Sequence, residues 1–555
     1  MKKHLLTLIT IVVMGSCADK KEVVDSNSNS IETPFVWGNA NIYFLLTDRF
    51  NNADTLNDVN FNRTKPTDKL RGFEGGDIKG ITQKIEEGYF NKLGINAIWF
   101  TPIVEQIHGA VDEGTGATYG YHGYWAKDWT TLDPNFGTKE DLKKLVELAH
   151  KNGIRIVLDG VINHTGPVTE VDEVWPVDWV RTAVQCDYQN YKNNITCTLV
   201  KNLPDVKTES NEAIEIPTQL AEKWKAEGRY EQEMKELDDF FIRTGYPKAP
   251  RFYIIKWLTD YITEFGIDGY RADTVKHTEE FVWGEFKNEC DYAFEQWKKE
   301  NPTKVLDATD FYLVGEIYNY NISSGQFFDF GDKKVNYFEN GFNSLINFEF
   351  KRNAAQQNYE ELFSKYSAIL NNELKGYGVL NYISSHDDGD PFDKERTKPF
   401  ESATKLLLTP GTSQVYYGDE SARSLIIEGT IGDATLRSNM NWNEIENSEE
   451  TKAILTHWQK LGTYRSNHPS VGAGVHKMIS EQPYVFQRTY SKGEFNEAIV
   501  VGLELNDGEK ELNVSSVFKD GTVLNDAYSG AEVTVKDGVV KLDTQFGIVL
   551  LEIKK

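Results

Sequence analysis

The sequence predicts an α/β fold: a (β/α)8 barrel of the TIM type, with an insertion after its third strand and a C-terminal antiparallel β-sandwich domain. Three observations predict it. Eight short, continuous apolar runs recur between Ile42 and Gly418, and such runs mark parallel strands covered on both faces. Amphipathic stretches separate several of them, which is the alternation of a β/α barrel. After about residue 465, apolar and polar residues alternate between Gly, Asp and Asn turns, the pattern of antiparallel strands.

The elements follow in chain order. The chain has 555 residues, 39% hydrophobic and 12% aromatic, enough for a sizeable core and two or three domains. It opens with "MKKHLLTLITIVVMGSC": a basic start, an apolar run from Leu5 to Met14, then small residues before Cys17. The run is too short to span a bilayer and reads as an export signal over residues 1–17. Gly15-Ser16-Cys17 resembles the lipobox of bacterial lipoproteins. That resemblance implies a lipidated Cys17 holding the chain to a membrane, on the periplasmic side or at the cell surface. An ordinary cleaved signal peptide is the alternative. Residues 18–34 read as a polar, flexible tether.

The eight runs are "IYFLL" (Ile42–Leu46), "AIWFT" (Ala97–Thr101), "IRIVLD" (Ile154–Asp159), "IDGYRAD" (Ile267–Asp273), "YLVGEI" (Tyr312–Ile317), "LINFEF" (Leu345–Phe350), "VLNYIS" (Val379–Ser384) and "QVYYG" (Gln414–Gly418). The clearest helix between them is "TKEDLKKLVELAHKNG", with Thr138 as N-cap and Gly153 past its end. An open doubly wound sheet is the rival, but no Gly-rich phosphate loop follows an early strand. The barrel is expected over residues 35–164 and 251–465. The long connection between the third and fourth runs, residues 165–250, forms a small domain or a long functional loop. Residues 466–555 make the β domain, with "YVFQRTY", "EAIVVGLEL" and "VVKLDTQFGIVLLEI" as its strands.

The net charge of −25 argues against nucleic acid as a partner, since phosphates would be repelled. In an exported protein Cys186 and Cys197 can form a local disulfide, and Cys290 has helical surroundings that suit a buried thiol. The sequence does not fix the oligomeric state; a monomer is the simplest expectation.

Chemistry concentrates at the C-terminal ends of the apolar runs, where barrel enzymes carry their sites. There stand Asp48-Arg49, Asp159, Asn163-His164, Arg271, Asp273, Lys276-His277, Glu316 and His386-Asp387. Arg271 and Asp273 are two apart on an extended strand, so both point the same way. An Arg beside an Asp favours the ionised carboxylate, and a positioned carboxylate can be a nucleophile. Glu316 ends "YLVGE", where partial burial would raise its pKa and keep a proton available. Two carboxyls with pKa values pushed apart are what glycoside cleavage requires. The competing structural reading of Arg271 and Asp273 is a buried ion pair that fixes the strand.

Four ordered segments carry a resemblance: "DGVINH" (Asp159–His164), "GYRADTVKH" (Gly269–His277), "VGEIY" (Val314–Tyr318) and "ISSHDD" (Ile383–Asp388). Together they resemble the signature regions of the α-amylase family, glycoside hydrolase family 13. "TDRF", "YGYHGYWAKDWTTLDPNFGT" and "LPDV" match further segments, and the likeness spans nearly the whole mature chain, including an inserted domain B. The resemblance implies that Asp273 is the nucleophile, Glu316 the general acid and base, and Asp387 a third carboxylate that stabilises the oxocarbenium-like state. It implies that Arg271 holds Asp273. It implies that His122, His164 and His386 bond the sugar, and that Tyr124 stacks on it. Lys276 and His277 would reach the leaving-group side, and Asp433 and Arg437 would grip sugar on the far side.

The resemblance also implies calcium between barrel and domain B, held by Asn163, Asp205 and the backbone oxygen of His277. A second candidate calcium loop has Asn52, Asp54, Asn57, Asp58, Asp77 and the Gly75 backbone oxygen as ligands; a polar turn is the alternative. The expected function is an exported, lipid-anchored, endo-acting α-amylase on starch or maltodextrins. A neopullulanase-like, cyclomaltodextrinase-like or glucan-transferring relative shares the same motifs. A non-catalytic glucan-binding protein would be expected to have lost one of the three acids, and all are present. A metal-dependent hydrolase would need a cluster such as His-x-His on one strand.

Overall fold

A computed structural model of the chain describes residues 33–112, 114–182 and 186–554. The export signal, Cys17 and the tether up to residue 32 lie outside the described residues. Eight parallel strands close a barrel: β1 (Asn41–Leu45), β2 (Ala97–Phe100), β3 (Arg155–Gly160), β4 (Gly269–Ala272), β5 (Tyr312–Gly315), β6 (Ser344–Asn347), β7 (Gly378–Tyr382) and β8 (Thr412–Tyr416). Each pairs with the next, and β8 returns to β1 with Asn41 opposite Ser413. Every apolar run named above contributes one strand. Their residues are buried almost without exception. With no face toward water, such strands need no polar alternation, which is why they read as continuous apolar runs.

Helices cover the barrel, among them α1 (Ile78–Glu86), α2 (Lys139–Lys151), α3 (Pro250–Phe265), α4 (Glu280–Glu300) and α5 (Glu449–Asn467). Thr138 caps α2 in a reciprocal box with Asp141, a feature worth about 1 kcal/mol. Helix α3 ends at Gly266, which has φ +75°, and Trp297 of α4 lies 2.0 Å from where a Cβ would stand. A side chain there would push Trp297 away just before β4 delivers Arg271 and Asp273. Cys290 is a buried free thiol on α4.

Residues 161–249 leave the barrel between β3 and α3. They form a short strand pair, Val180–Arg181 with Asp205–Val206, and the helices Tyr191–Thr196, Thr218–Ala226 and Tyr230–Thr244. Cys186 and Cys197 are joined as a disulfide. Trp179 and Trp224 of this segment are fully buried against Trp257 of α3. A second excursion, after β2, pairs Val104–Gln106 with Ala126–Leu132, across a connection that carries Gly109, Gly114, Gly116, Gly120 and Gly123.

The C-terminal strands are β9 (Val475–Ser480), β10 (Tyr484–Lys492), β11 (Phe495–Leu503), β12 (Gly508–Asn513), β13 (Val523–Asp526), β14 (Glu532–Thr534), β15 (Val539–Thr544) and β16 (Val549–Ile553). Six make one antiparallel sheet in the order β9-β10-β11-β16-β13-β14, and β12 pairs with β15. Val485, Val500, Leu512 and Val540 share one apolar cluster between the two sheets. Arg488 of β10 is fully buried and donates to the Leu408 carbonyl at 2.6 Å, tying this domain to the barrel. Among the described residues no helix is long and apolar enough to cross a membrane.

Candidate active site

The site forms where β3, β4, β5 and β7 end. Arg271 of β4 stands in register with Asp159 of β3 and is 1% exposed. Its guanidinium lies 2.9 Å from Asp159 Oδ1, 2.5 Å from Asp273 Oδ1 and 3.0 Å from Glu316 Oε2. A buried charge is costly unless paired. Three carboxyls around one guanidinium exceed what a strand-fixing ion pair needs, so the purely structural reading of Arg271 and Asp273 is insufficient.

The surroundings differentiate the carboxyls. Burial pushes the Glu316 carboxyl up to about 8; Asp273 and Asp387 add to the rise and Arg271 opposes it. Glu316 therefore keeps its proton at neutral pH. It is held by Arg271 and by the Thr274 N–H, which donates to Oε2 at 2.9 Å. Asp159 lies beneath, accepting from Tyr124 Oη at 2.8 Å and Trp99 Nε1 at 3.1 Å. Asp387, on the loop after β7, is more open, with its side chain 41% exposed. Burial raises its carboxyl, but His386, the Ser385 hydroxyl and Arg271 together draw it below the usual range.

Asp273, Glu316 and Asp387 line one cleft of about 520 Å³. The same cleft is lined by His122, Tyr124, His164, Lys276, His277, His386, Asp433 and Arg437, with Arg271 below it. The Tyr124 ring lies nearly parallel to His122 and His386, with centroids at 5.8 and 5.3 Å. Burial lowers the pKa of all four cleft histidines, His277 and His386 to about 4, so at neutral pH they offer hydrogen bonds rather than charge. Asp433 is pinned by Arg437 at 2.5 Å and by Arg71 at 2.8 Å. Arg71, Tyr188 and Tyr318 also line the cleft. Sequence reasoning missed them: Arg71 and Tyr188 sit in irregular loops, and Tyr318 was quoted in "VGEIY" without being singled out. A concavity of about 590 Å³ on the outer barrel wall carries charges that pair among themselves, such as Lys256 with Glu236 and Asp260.

Two places invite a cation. Among the described residues no cluster of three or more His, Cys, Asp or Glu could hold a metal, but calcium also takes amide and carbonyl oxygens. One side-chain amide position of Asn163 lies 2.7 Å from the His277 carbonyl and 3.2 Å from Asp205 Oδ1. With nitrogen there the amide donates to both; with oxygen there three oxygens converge, as a hard cation requires. Asp205 Oδ2 is buried without a hydrogen bond, with the Arg181 guanidinium 3.4 Å away; burial pushes this carboxyl up to about 8 and Arg181 opposes the rise. These residues fit calcium. In the second loop, Asn52 and Asp58 crowd the space where Gly75 would carry a Cβ, and Asn57 Oδ1 is buried without a partner. There Asp54 pairs with Lys79 at 2.5 Å, and Asp77 accepts the Gly80 N–H at 2.6 Å as cap of α1. A cation in this loop would have to displace Lys79.

The comparisons with known proteins bear on the family and the fold. The family profile described as "Alpha amylase, catalytic domain" matches residues 44–470. The chain is 34% identical over 520 residues to the periplasmic alpha-amylase of Escherichia coli (strain K12), covering 82% of this chain and 71% of that protein. It is 24% identical over 544 residues to a cyclomaltodextrin glucanotransferase of Thermoanaerobacterium thermosulfurigenes, covering 89% of this chain and 67% of that one. An Anoxybacillus alpha-amylase structure superposes with a TM-score of 0.63 at 24% identity, over 94% of this chain and 100% of that chain; at that identity the likeness speaks for the fold.

Proposed function

The chain belongs to the α-amylase family of glycoside hydrolases, and from that premise we propose that it is an endo-acting α-amylase that cleaves internal α-1,4-glucosidic bonds of starch or maltodextrins with retention. The observation that carries this reading is the convergence of Asp273, Glu316 and Asp387 on one cleft, with a single guanidinium between the first two.

In the proposed mechanism the Asp273 carboxylate attacks the anomeric carbon while Glu316 gives its proton to the departing glycosidic oxygen. The glycosyl ester on Asp273 is then opened by water, whose proton Glu316 takes back. Asp387 bonds the sugar hydroxyls and supports positive charge at the ring. Tyr124 and the neutral histidines hold the sugar, Asp433 and Arg437 grip the far side, and Lys276 reaches the leaving group. Calcium, held by Asn163, Asp205 and the His277 carbonyl, would join the residue 161–249 segment to the strand end that carries the site. Export and anchoring through Cys17 belong to the same proposal; the E. coli relative's name, periplasmic, supports export. The domain boundaries are proposed as given above.

Incubation with soluble starch, following product length and anomeric form, tests the reading. A broad early ladder of α-anomers is expected; β-anomers would contradict retention. A glucan-transferring or cyclomaltodextrinase-like specificity is the second reading, favoured by the glucanotransferase relative. It would appear as transfer or ring-opening products outweighing the linear ladder.

A further inference from the structure

We propose that Ser385 is a positioning residue for Asp387, a role that rests on the reading of the cleft given above. Each of the other two acids is oriented by strong donors. Asp273 has the Arg271 guanidinium, and Glu316 has Arg271 and the Thr274 N–H. Asp387 has neither. Among the described residues, the one hydrogen bond to its carboxylate comes from Ser385 Oγ, which donates to Oδ1 at 2.6 Å. His386 Nδ1 is 3.8 Å away, beyond hydrogen-bond range.

The need for a donor follows from where Asp387 stands. It follows β7 on a loop, and its side chain is 41% exposed, so packing alone does not choose its rotamer. Ser385 is itself buried, three residues after the end of β7. Its oxygen also accepts the Asp387 N–H at 3.4 Å. The hydroxyl thus bonds both the backbone and the carboxylate of the residue it orients. A hydroxyl donating to an ionised carboxylate makes one of the stronger kinds of hydrogen bond. Asp387 then meets the sugar already turned toward it, without reorganising as charge develops.

The test measures kcat and KM on a chromogenic maltoheptaoside, and acarbose affinity by calorimetry, for wild type, Ser385→Ala, Ser385→Thr and Ser385→Cys. Ser385→Ala should lower kcat about tenfold, the scale of a lost charge-assisted hydrogen bond. KM should stay within about twofold, acarbose should bind about tenfold more weakly, and the melting temperature should not move. Ser385→Thr should restore most of kcat. Ser385→Cys, a weak donor, should fall between. An Ala variant with wild-type kcat, or a loss that Thr does not restore, overturns the proposal. If Ala fails to fold, the Thr and Cys pair decides: equal kcat in both overturns it. A folded wild type that cleaves no α-glucan overturns the reading of the cleft itself, and with it this role.

Discussion

Replacing Arg271 by Met removes the guanidinium that Asp159, Asp273 and Glu316 share at 2.9, 2.5 and 3.0 Å, while keeping much of its apolar volume. Two opposite charges about 3 Å apart attract by roughly 5 kcal/mol at an effective dielectric near 20, and desolvation cancels much of that. Stripping one partner from a buried ion pair costs about 3–5 kcal/mol net. Felt wholly in the transition state, ~4 kcal/mol is about a thousandfold in kcat. Shared with stability, it becomes a smaller kinetic loss plus a lower melting temperature. The sign of the pH effect is fixed. Arg271 opposes the rise of the Glu316 pKa, so without it that pKa climbs further and the basic limb of kcat/KM moves to higher pH. Arg271→Lys keeps a charge but lacks the planar fork, so it should fall between wild type and Met. The assay is kcat/KM on a chromogenic maltoheptaoside across neutral to alkaline pH, with thermal melts alongside. A Met variant within about tenfold of wild type, its basic limb unmoved, would refute the reasoning.

Three further outcomes are expected. Glu316→Gln should lose at least about a hundredfold on starch and far less on a glycosyl fluoride, whose leaving group needs no proton; equal losses on both would remove Glu316 from the acid role. Chelation should lower the melting temperature, and calcium should restore it in wild type but less in Asn163→Ala; a wild-type melt indifferent to chelator and calcium alike counts against both cation sites. At the junction of α5 and the C-terminal domain, burial alone would lower the His468 pKa, but Glu497 and Glu552 outweigh it and raise it. Its contribution is fully present below the unfolded value, about 6.5, and is lost as pH rises through the raised folded value. Melts across that range should decline toward higher pH in wild type and be flatter in His468→Gln.

Most of the barrel was legible because burial on both faces leaves an unbroken apolar signature, and all eight runs carry strands. Their ends were less so. "LINFEF" continues past β6 into a helix from Phe350 to Gln356, since apolar residues that bury against the barrel read alike in strand and helix. Arg271 and Asp273 were readable from spacing alone, and they meet at 2.5 Å. His164, Lys276, His277, Glu316, His386 and Asp387 stood out at the ends of the apolar runs; the roles of the histidines, and His122, Tyr124, Asp433 and Arg437 altogether, came from motif resemblance, because nothing in local pattern tells a cleft histidine from a packed one. Arg71 and Tyr188 stayed hidden for a further reason. They reach the cleft from loops whose path is set by tertiary contacts, such as Arg71 with Asp433 and Tyr188 with the Leu199 carbonyl. Ser385 stands in the motif "ISSHDD", where the sequence alone assigns it nothing; only the 2.6 Å bond to Asp387 gives it a role.

The most direct measurement traps the covalent step. The enzyme is incubated with an activated 5-fluoro-glycosyl fluoride, digested, and its labelled peptide sequenced by mass spectrometry. The expected result is a single sugar adduct on Asp273, absent from Asp273→Asn. An adduct on Glu316 or Asp387 instead, or a turnover that proceeds by inversion with no adduct at all, would contradict the central assignment.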